Sequence, residues 1–424
     1  MTEHIRISQQ AARRFVLGKQ GLWPGRRWEG VDGTRAAITA CEHLQLDPLV
    51  IVARSHDLML HARVAGYRPE FFDQLTYANR AFFDWGGWLA VRPMEELPHW
   101  RTLMRREREH VGMREIAEAH GDVIEAMRGT LKERGTVSNR DFEANAKAIS
   151  NYRGSKDTSL ALYYLWRTGE AMTHHRDGFQ RVYALSEAVA PGRLLTQVPE
   201  LDADLFICRK SVAFGGIGRL GVARAAPLKH VLGRPIDRTE AIRLENLLVE
   251  RGDLVPVEVE GWRGNNFMLP EDVALLAEVE SGQIPAEWHP LGASTKEEVT
   301  FLSPLDPVSA RGRAKALFDF DYLWEIYMPE AKMQYGRYTM PILWGDQLVG
   351  RIDPKMDRAS GTLVINGVWF EDAALVKDEA FVAALAAGVT SLMAFLGAKR
   401  VDATAVANRT MRARLTKAGR ASVQ

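Results

Sequence analysis

The chain has 424 residues, of which 46% are hydrophobic and 26% charged, and its formal net charge is +1. This composition is typical of a soluble globular protein of about two to four domains and excludes a disordered chain. No apolar run approaches the roughly 20 residues that cross a bilayer, and the first residues lack a secretory signal, so we expect a cytoplasmic protein without a membrane partner.

The cysteine content and the charge further restrict which kinds of site and ligand we expect. Cys41 and Cys208 are far apart and have no ligand-like spacing, which argues against a cysteine zinc site and a disulfide framework. A net charge of +1 does not indicate a nucleic-acid binder, but a binding groove needs only local positive charge. Basic residues do cluster, for example from Arg101 to Arg108, and we interpret such clusters as solvated faces.

The N-terminal part is helical in pattern. Apolar residues recur every three or four positions in Ser8–Gly18, Thr34–Leu44 and Pro48–Val64, and this spacing predicts three helices. We interpret the region as a less regular winged-helix unit.

Between the last two of these helices lies the most informative motif, Gln45-Leu46-Asp47. In an extended segment alternate side chains point the same way, and Pro48 favours an extended residue before it. The Gln45 amide and the Asp47 carboxylate would then face one spot, where they can hold a water molecule and accept its proton. The alternative is structural, because Asp47 and Pro48 are also a favourable N-cap and first helical residue.

Two later segments share one order of elements. Ser138, with Asp141 three residues on, predicts a helix start, and Thr158–Arg167 predicts a helix that ends at Thr168-Gly169. A hairpin pattern follows over 171–185, with its tip at His174 to Gly178. The second copy has a helix over 238–249 and a hairpin over 254–269. Helices followed by a two-stranded wing are the winged-helix order, which serves both DNA binding and protein interaction.

The region after Glu297 changes to short strands. We predict strands at 318–320, 338–343, 347–352 and 362–365, and a closing helix from Asp378 to Leu396. The fold class is therefore α+β, and we divide the chain into three winged-helix units, 1–115, 116–198 and 199–290, and a β-rich α+β unit, 291–424.

With these motifs the chain resembles the tandem winged-helix DNA glycosylases of the YcaQ/AlkZ type. The matching stretches span about residues 8 to 370 and include Gln45-Leu46-Asp47, Ile51 to Ser55, Gly178 to Tyr183, Leu302 to Pro307, Leu317 to Phe320, Gln334 to Gly336 and Leu348 to Arg351. The resemblance implies three winged-helix units in a C-shape, followed by the β-rich unit. One difference is that Trp85-Gly86-Gly87-Trp88 stands where the crosslink-unhooking branch has a His-Glu pair. Core packing and base stacking are both open for these tryptophans.

The resemblance also implies a function. It implies a monofunctional DNA glycosylase, a monomer acting on double-stranded DNA, that hydrolyses the N-glycosidic bond of N7-alkylated purines, including interstrand crosslinks in one branch of the family. Asp47 and Gln45 would be catalytic, with no metal or cofactor. We expect Arg54, Ser55, His174, His175 and Arg176 to contact DNA. For Arg54 the alternative to a DNA contact is a structural ion pair, and for residues 174–176 it is a solvated hairpin tip. For the whole protein, the alternatives to a glycosylase are a DNA-binding regulator and a protein-interaction scaffold.

Overall fold

The structure is a computed structural model that describes residues 5–86, 89–142, 157–199, 201–213, 216–217, 236–310 and 312–421. Its α-helices are α1 Gln9–Lys19, α2 Gly30–Cys41, α3 Ser55–His61, α4 Pro69–Asp73, α5 Leu97–Glu107, α6 Val111–Ala119, α7 Gly121–Arg134, α8 Asp157–Arg167, α9 Ser186–Val189, α10 Gly192–Thr196, α11 Ala203–Ala213, α12 Arg238–Glu250, α13 Val273–Glu280, α14 Arg313–Phe318, α15 Glu379–Leu396 and α16 Arg409–Ala421.

The strands are short except in the C-terminal region. They are β1 Ile5–Ile7, β2 Trp28–Glu29, β3 Leu44–Gln45, β4 Val64–Ala65, β5 Phe82–Trp85, β6 Ala90–Pro93, β7 Val137–Ser138, β8 Ala171–Asp177, β9 Gln180–Leu185, β10 Val255–Val259, β11 Asn266–Met268, β12 Thr300–Phe301, β13 Met340–Trp344, β14 Gln347–Asp357, β15 Thr362–Phe370 and β16 Arg400–Asp402. Helices and sheets mix along the chain, so the fold class is α+β as the sequence predicts.

The chain forms two compact units. The first joins residues 1–72, 212–219 and 254–424, and the second joins 73–211 and 220–253. The four-part division made from the sequence stays a prediction. Each unit is described by itself below.

Two sheets organise the first unit. In one, β1 runs parallel to β10, and β10 forms the predicted hairpin with β11. In the other, five strands follow the order β12–β13–β14–β15–β16, antiparallel except for the last pair. By length and composition alone, α15 is the one described helix apolar enough to cross a membrane. It belongs to the same hydrophobic core as the five-stranded sheet, in which its residues Phe381, Leu385, Val389 and Leu392 are buried.

The second unit contains the helices and the hairpin predicted over residues 138–185. Strand β7 pairs with β9, and β9 forms the hairpin with β8. Helices α7 and α8 pack beside this sheet around a core that includes Leu131, Leu165 and Tyr183. The predicted helix start at Ser138 is confirmed, because a capping box with Asp141 opens a short 3-10 helix there.

Most of the other predicted elements are also confirmed. Ser8 caps α1, Asp378 caps α15, and α8 ends at Arg167 with Gly169 at a φ of +77°. Strands β13, β14 and β15 and the second helix–hairpin pair lie where the sequence places them.

Two predicted helix and strand assignments are wrong. Residues 48–54 are not helical, and the predicted helix over 48–64 shortens to α3, which begins at Ser55. The predicted strand over 318–320 is instead the end of α14, where Asp319 takes a left-handed φ of 53° that stops the helix. Tertiary contacts override the local pattern in both places.

A buried ion pair fixes α3 and the following turn to the loop before α14. The Arg63 guanidinium donates to both carboxylate oxygens of Asp306, at 2.7 and 3.0 Å, and both side chains are fully buried. Asp306 Oδ1 also accepts from the backbone N–H of Val308 at 3.0 Å, so the same side chain shapes the local turn. Burial opposes the charge of Arg63, but Asp306 more than offsets this and raises the pKa of Arg63.

We expect Asp306→Asn to lower the free energy of unfolding by about 3–5 kcal/mol, because it leaves a buried guanidinium without its counter-charge. Glu330→Gln is the control, since Glu330 pairs with Arg337 at 2.9 Å in solvent, and it should change stability by less than about 1 kcal/mol. Urea unfolding followed by tryptophan fluorescence measures both. Equal losses in the two variants would contradict this account.

Candidate active site

The Gln45-Leu46-Asp47 motif is extended and half-exposed. Buried and accessible side chains alternate here. Leu44 and Leu46 are 0% and 2% exposed, whereas Gln45 and Asp47 are partly accessible. This alternation is that of an extended chain, so Gln45 and Asp47 lie on the same side. Asp47 does not cap a helix, because residues 48–54 are non-helical and its Oδ1 accepts from the nearby Leu49 N–H at 2.9 Å.

The segment after Asp47 is attached to the end of β14. The Met356 N–H donates to the Ile51 carbonyl at 3.0 Å, and the Arg358 guanidinium donates to the carbonyls of Val50 and Val52 at 3.2 and 2.7 Å. The Val52 side chain is buried in the core of the five-stranded sheet. These bonds use the carbonyls that a helix would need, and they hold the backbone beside Asp47 in place.

Three hydroxyl side chains bind one another, and one of them, that of Tyr338, lies close enough to the Asp47 carboxylate to be affected by its charge. Ser55 Oγ and Ser303 Oγ are 2.7 Å apart, and Tyr338 is 1% exposed. Burial raises the pKa of Tyr338, and the negative charge of Asp47 raises it further, while hydrogen bonds with Ser303 and Ser55 act in the opposite direction. Asp47, Ser55, Ser303 and Tyr338 are called the hydroxyl cluster below.

Sequence reasoning missed two members of the hydroxyl cluster. Ser303 lies in one of the stretches that match the family, which was the available signal. Tyr338 was interpreted only as part of a strand. Sequence spacing cannot reveal its contact with residues almost 300 positions earlier in the chain.

The protonation of Asp47 is shifted by its surroundings. Burial raises the pKa of Asp47, and the hydrogen bond from the Leu49 N–H offsets only part of this. No lysine or arginine of the described residues lies within 4.0 Å of its carboxylate. A carboxylate that is partly desolvated and carries no counter-ion can interact strongly with a cation brought next to it.

Arg54 and Ser55 face the protein. The Arg54 guanidinium binds the buried carboxylate of Asp57 at 2.5 and 3.2 Å, and Asp57 also accepts from the Tyr67 hydroxyl at 2.7 Å. This is the structural ion pair weighed from the sequence. Ser55 is 1% exposed and belongs to the hydroxyl cluster. DNA contacts by either residue stay predictions.

The hairpin tip predicted at His174 to Gly178 is wrong, because β8 continues to Asp177 and the turn lies at Gly178-Phe179. The predicted wing residues therefore lie on β8 in the second unit. The Arg176 guanidinium is largely buried and binds Asp84 at 2.9 and 2.8 Å. Burial opposes the charge of Asp84, but Arg176 and Arg181 outweigh it and lower the pKa of Asp84. His175 is exposed, and its Nδ1 lies 2.8 Å from Nδ1 of the half-buried His174. Burial, Arg80 and His175 lower the pKa of His174. No observation tests their contact with DNA.

Of the two tryptophans that stand where one branch of the family has a His-Glu pair, the structure describes Trp85. Trp85 is 5% exposed and packs on Trp100 with ring centroids 6.1 Å apart, which is the core-packing alternative. Trp88 lies outside the described residues.

Comparison with known proteins identifies the family. Residues 38–395 match the family described as DNA glycosylase AlkZ-like. The chain belongs to this family. Among solved structures, the DNA glycosylase AlkZ of Streptomyces sahachiroi is similar, with a TM-score of 0.60, 14% sequence identity, and coverage of 95% of this chain and 99% of that chain. At this identity the likeness is one of fold.

Within the described ranges, no group of three or more His, Cys, Asp or Glu residues could hold a metal ion.

We expect Arg176→Gln to destabilise the protein by about 3 kcal/mol, because Asp84 loses its buried partner. The salt dependence of DNA binding should stay unchanged. Arg140→Gln is the control, since Arg140 pairs with Asp177 at 2.5 Å in solvent, and it should have little effect on stability. Thermal unfolding, together with DNA affinity measured at several salt concentrations, distinguishes a structural role of Arg176 from a contact with DNA phosphate. Unchanged stability with a salt slope smaller by about 0.9 would mean that Arg176 binds a phosphate instead.

Proposed function

We propose that this protein is a monofunctional DNA glycosylase that hydrolyses the bond between an N7-alkylated purine and deoxyribose in double-stranded DNA. Family membership supports a DNA glycosylase. The observation that carries the finer proposal is the half-exposed Asp47 carboxylate, which has a raised pKa and no basic partner within the described residues. An N7-alkylated purine is cationic and already a good leaving group, so the reaction needs a negative charge near the sugar more than it needs a general acid.

In the proposed reaction, the oxygen of a water molecule attacks C1′ while the bond from C1′ to N9 of the purine breaks. The bonding electron pair leaves with the purine and neutralises it. Asp47 stabilises the positive charge that develops on the sugar and accepts the proton of the water. Gln45, on the same side of the extended segment, orients the water by hydrogen bonding.

Ser55, Ser303 and Tyr338 are proposed as positioning residues. Their hydroxyls bind one another and lie close enough to Asp47 for its charge to affect Tyr338. The cluster joins α3, the loop after β12 and the turn before β13, so it fixes Asp47 relative to elements distant in the sequence.

The proposal includes the finer expectations from the sequence. These are three tandem winged-helix units, a monomer, action in the cytoplasm without a membrane or cofactor, and DNA contacts by His174 and His175. Of the other predicted DNA contacts, Arg54, Ser55 and Arg176 are bonded to protein side chains instead. The family resemblance is the support for adding interstrand crosslinks to the proposed substrates.

Asp47→Asn should reduce excision of N7-methylguanine at least about 100-fold, because the amide cannot stabilise a cationic sugar or accept the proton of water. Affinity for the duplex should change less than about threefold. The variant should unfold at no lower temperature than the parent, since the amide has no charge to desolvate and can still accept from Leu49. The measurement is alkaline cleavage of abasic sites in DNA that contains N7-methylguanine, under single-turnover conditions.

Asp32→Asn is the matched control, because Asp32 is an exposed aspartate in the first turn of α2, and its excision should equal that of the parent. Equal excision by Asp47→Asn and the parent would refute the proposal. Tight binding of one undamaged sequence without excision would support a regulator, and no DNA binding at all would support a scaffold.

The pH dependence gives a second test. The ionised form of Asp47 is the active one, and burial raises its pKa. The rate should therefore fall with decreasing pH at a value above about 3.9, the ordinary value for aspartate. Single-turnover rates measured against pH should show this acid limb in the parent, and the residual rate of Asp47→Asn should lack it. An acid limb of the same shape in the variant would contradict the assignment.

A further inference from the structure

A basic pocket in the second unit is separate from the residues proposed for catalysis. It has a volume of about 550 Å³ and is lined by Arg101, Met104, Arg105, Arg108, Arg128, Lys132, Thr168, Gly169, Glu170, Leu185 and Glu187. Five of these side chains are basic and two are acidic. All of them lie within the second unit. We call this site the arginine pocket.

Two helices supply the positive charge. Arg101, Arg105 and Arg108 are spaced four and three residues apart and so lie on one side of α5 and its C-terminal cap. Arg128 and Lys132 are four residues apart on α7. The basic run from Arg101 to Arg108, interpreted as a solvated face from the sequence, therefore faces a concave site together with a second helix.

The acidic residues neutralise only part of this charge. Glu170 accepts from Arg128 at 2.6 and 3.2 Å and from Arg108 at 3.3 Å. Among the described residues, no carboxylate lies within 4.0 Å of Arg101, Arg105 or Lys132. Burial lowers the pKa of Arg101, and the charges of Arg105 and Arg108 lower it further, with Glu187 acting against them.

Uncompensated guanidinium groups around a concave site favour an anion with several oxygen acceptors. Planar guanidinium groups match the oxygens of phosphate in bidentate geometry, and lysine adds a point charge. The C-terminal ends of α5 and α7 account for Arg105 and Lys132 in their last turns, but not for Arg101 and Arg128, which lie earlier on the same helices.

We propose that the arginine pocket binds phosphate groups, carried by a nucleic-acid backbone or by a small phosphate ester. The ligand contacts Arg101, Arg105 and Lys132, whose charges the protein leaves uncompensated. Arg108 and Arg128, held by Glu170, shape the side of the pocket.

The test variant is the double substitution Arg105→Gln and Lys132→Gln. Both side chains are exposed and have no acidic partner among the described residues, so their removal breaks no ion pair and should leave folding intact. The control is Arg114→Gln with Arg238→Gln, two exposed arginines of the same unit that lie on α6 and α12 outside the pocket. It changes the net charge equally. Thermal unfolding checks that all three proteins are folded.

The first probe is inorganic pyrophosphate, titrated by calorimetry at low salt. Its affinity should fall about tenfold or more in the test variant and stay within about twofold in the control. The second probe is an undamaged 20-base-pair duplex, bound at several salt concentrations.

The two probes distinguish the source of the phosphate. Loss of pyrophosphate binding together with a salt slope for DNA that is smaller by roughly 2 assigns the pocket to the nucleic-acid backbone. Loss of pyrophosphate binding with unchanged DNA binding assigns it to a small phosphate ester. The inference is overturned if the parent does not bind pyrophosphate, or if the test and control variants behave alike. Neither probe involves excision, so the result is independent of the role of Asp47.

Discussion

The attachment of residues 50–52 to the end of β14 is the constraint on which the site depends. A backbone N–H and one guanidinium group bind three consecutive carbonyls, and the donors lie more than 300 residues along the chain from their acceptors. A helix starting at Pro48 would need these same carbonyls for its own hydrogen bonds. Because the sheet takes them, the segment stays non-helical and Asp47 keeps its carboxylate off a helix end. The position of the proposed catalytic group is therefore set by the C-terminal sheet.

Charge compensation separates Asp47 from the structural carboxylates. Asp57, Asp84 and Asp306 are buried, and each binds an arginine. Such pairs keep a buried carboxylate ionised and hold elements together. Asp47 is only half-buried, has a backbone N–H as its hydrogen-bond partner, and has a raised pKa. In this chain, its unsatisfied charge is what makes a role toward a cationic sugar chemically reasonable.

The same distinction applies to the basic residues. Arg54, Arg63 and Arg176 are committed to buried acids, so their charges serve the fold. The cations of the arginine pocket face a concave surface with too few acids to balance them. A basic residue in a family motif is thus not necessarily a ligand contact, and a cluster outside every motif can be one.

Local sequence signals predicted the local structure well. The cap at Ser138, the glycine after α8 and the apolar face of α15 depend on neighbouring residues, and each was correctly assigned. The alternation at Gln45 and Asp47 was also predicted, because the side-chain direction of an extended chain follows from spacing alone. The non-helical state of 48–54 was not, since its hydrogen bonds come from Met356 and Arg358. Ser303 and Tyr338 were missed because only the folded chain brings them to Asp47.

The most direct test of the account is a crystal structure of the protein with a duplex in which a cationic pyrrolidine replaces one deoxyribose. The pyrrolidine nitrogen mimics the positive charge that the sugar develops during base loss. The account predicts this nitrogen within hydrogen-bonding distance of the Asp47 carboxylate, with a water molecule bound to Gln45 on the adjacent face. A pyrrolidine bound beside a different carboxylate, with Asp47 turned toward the protein interior, would contradict it.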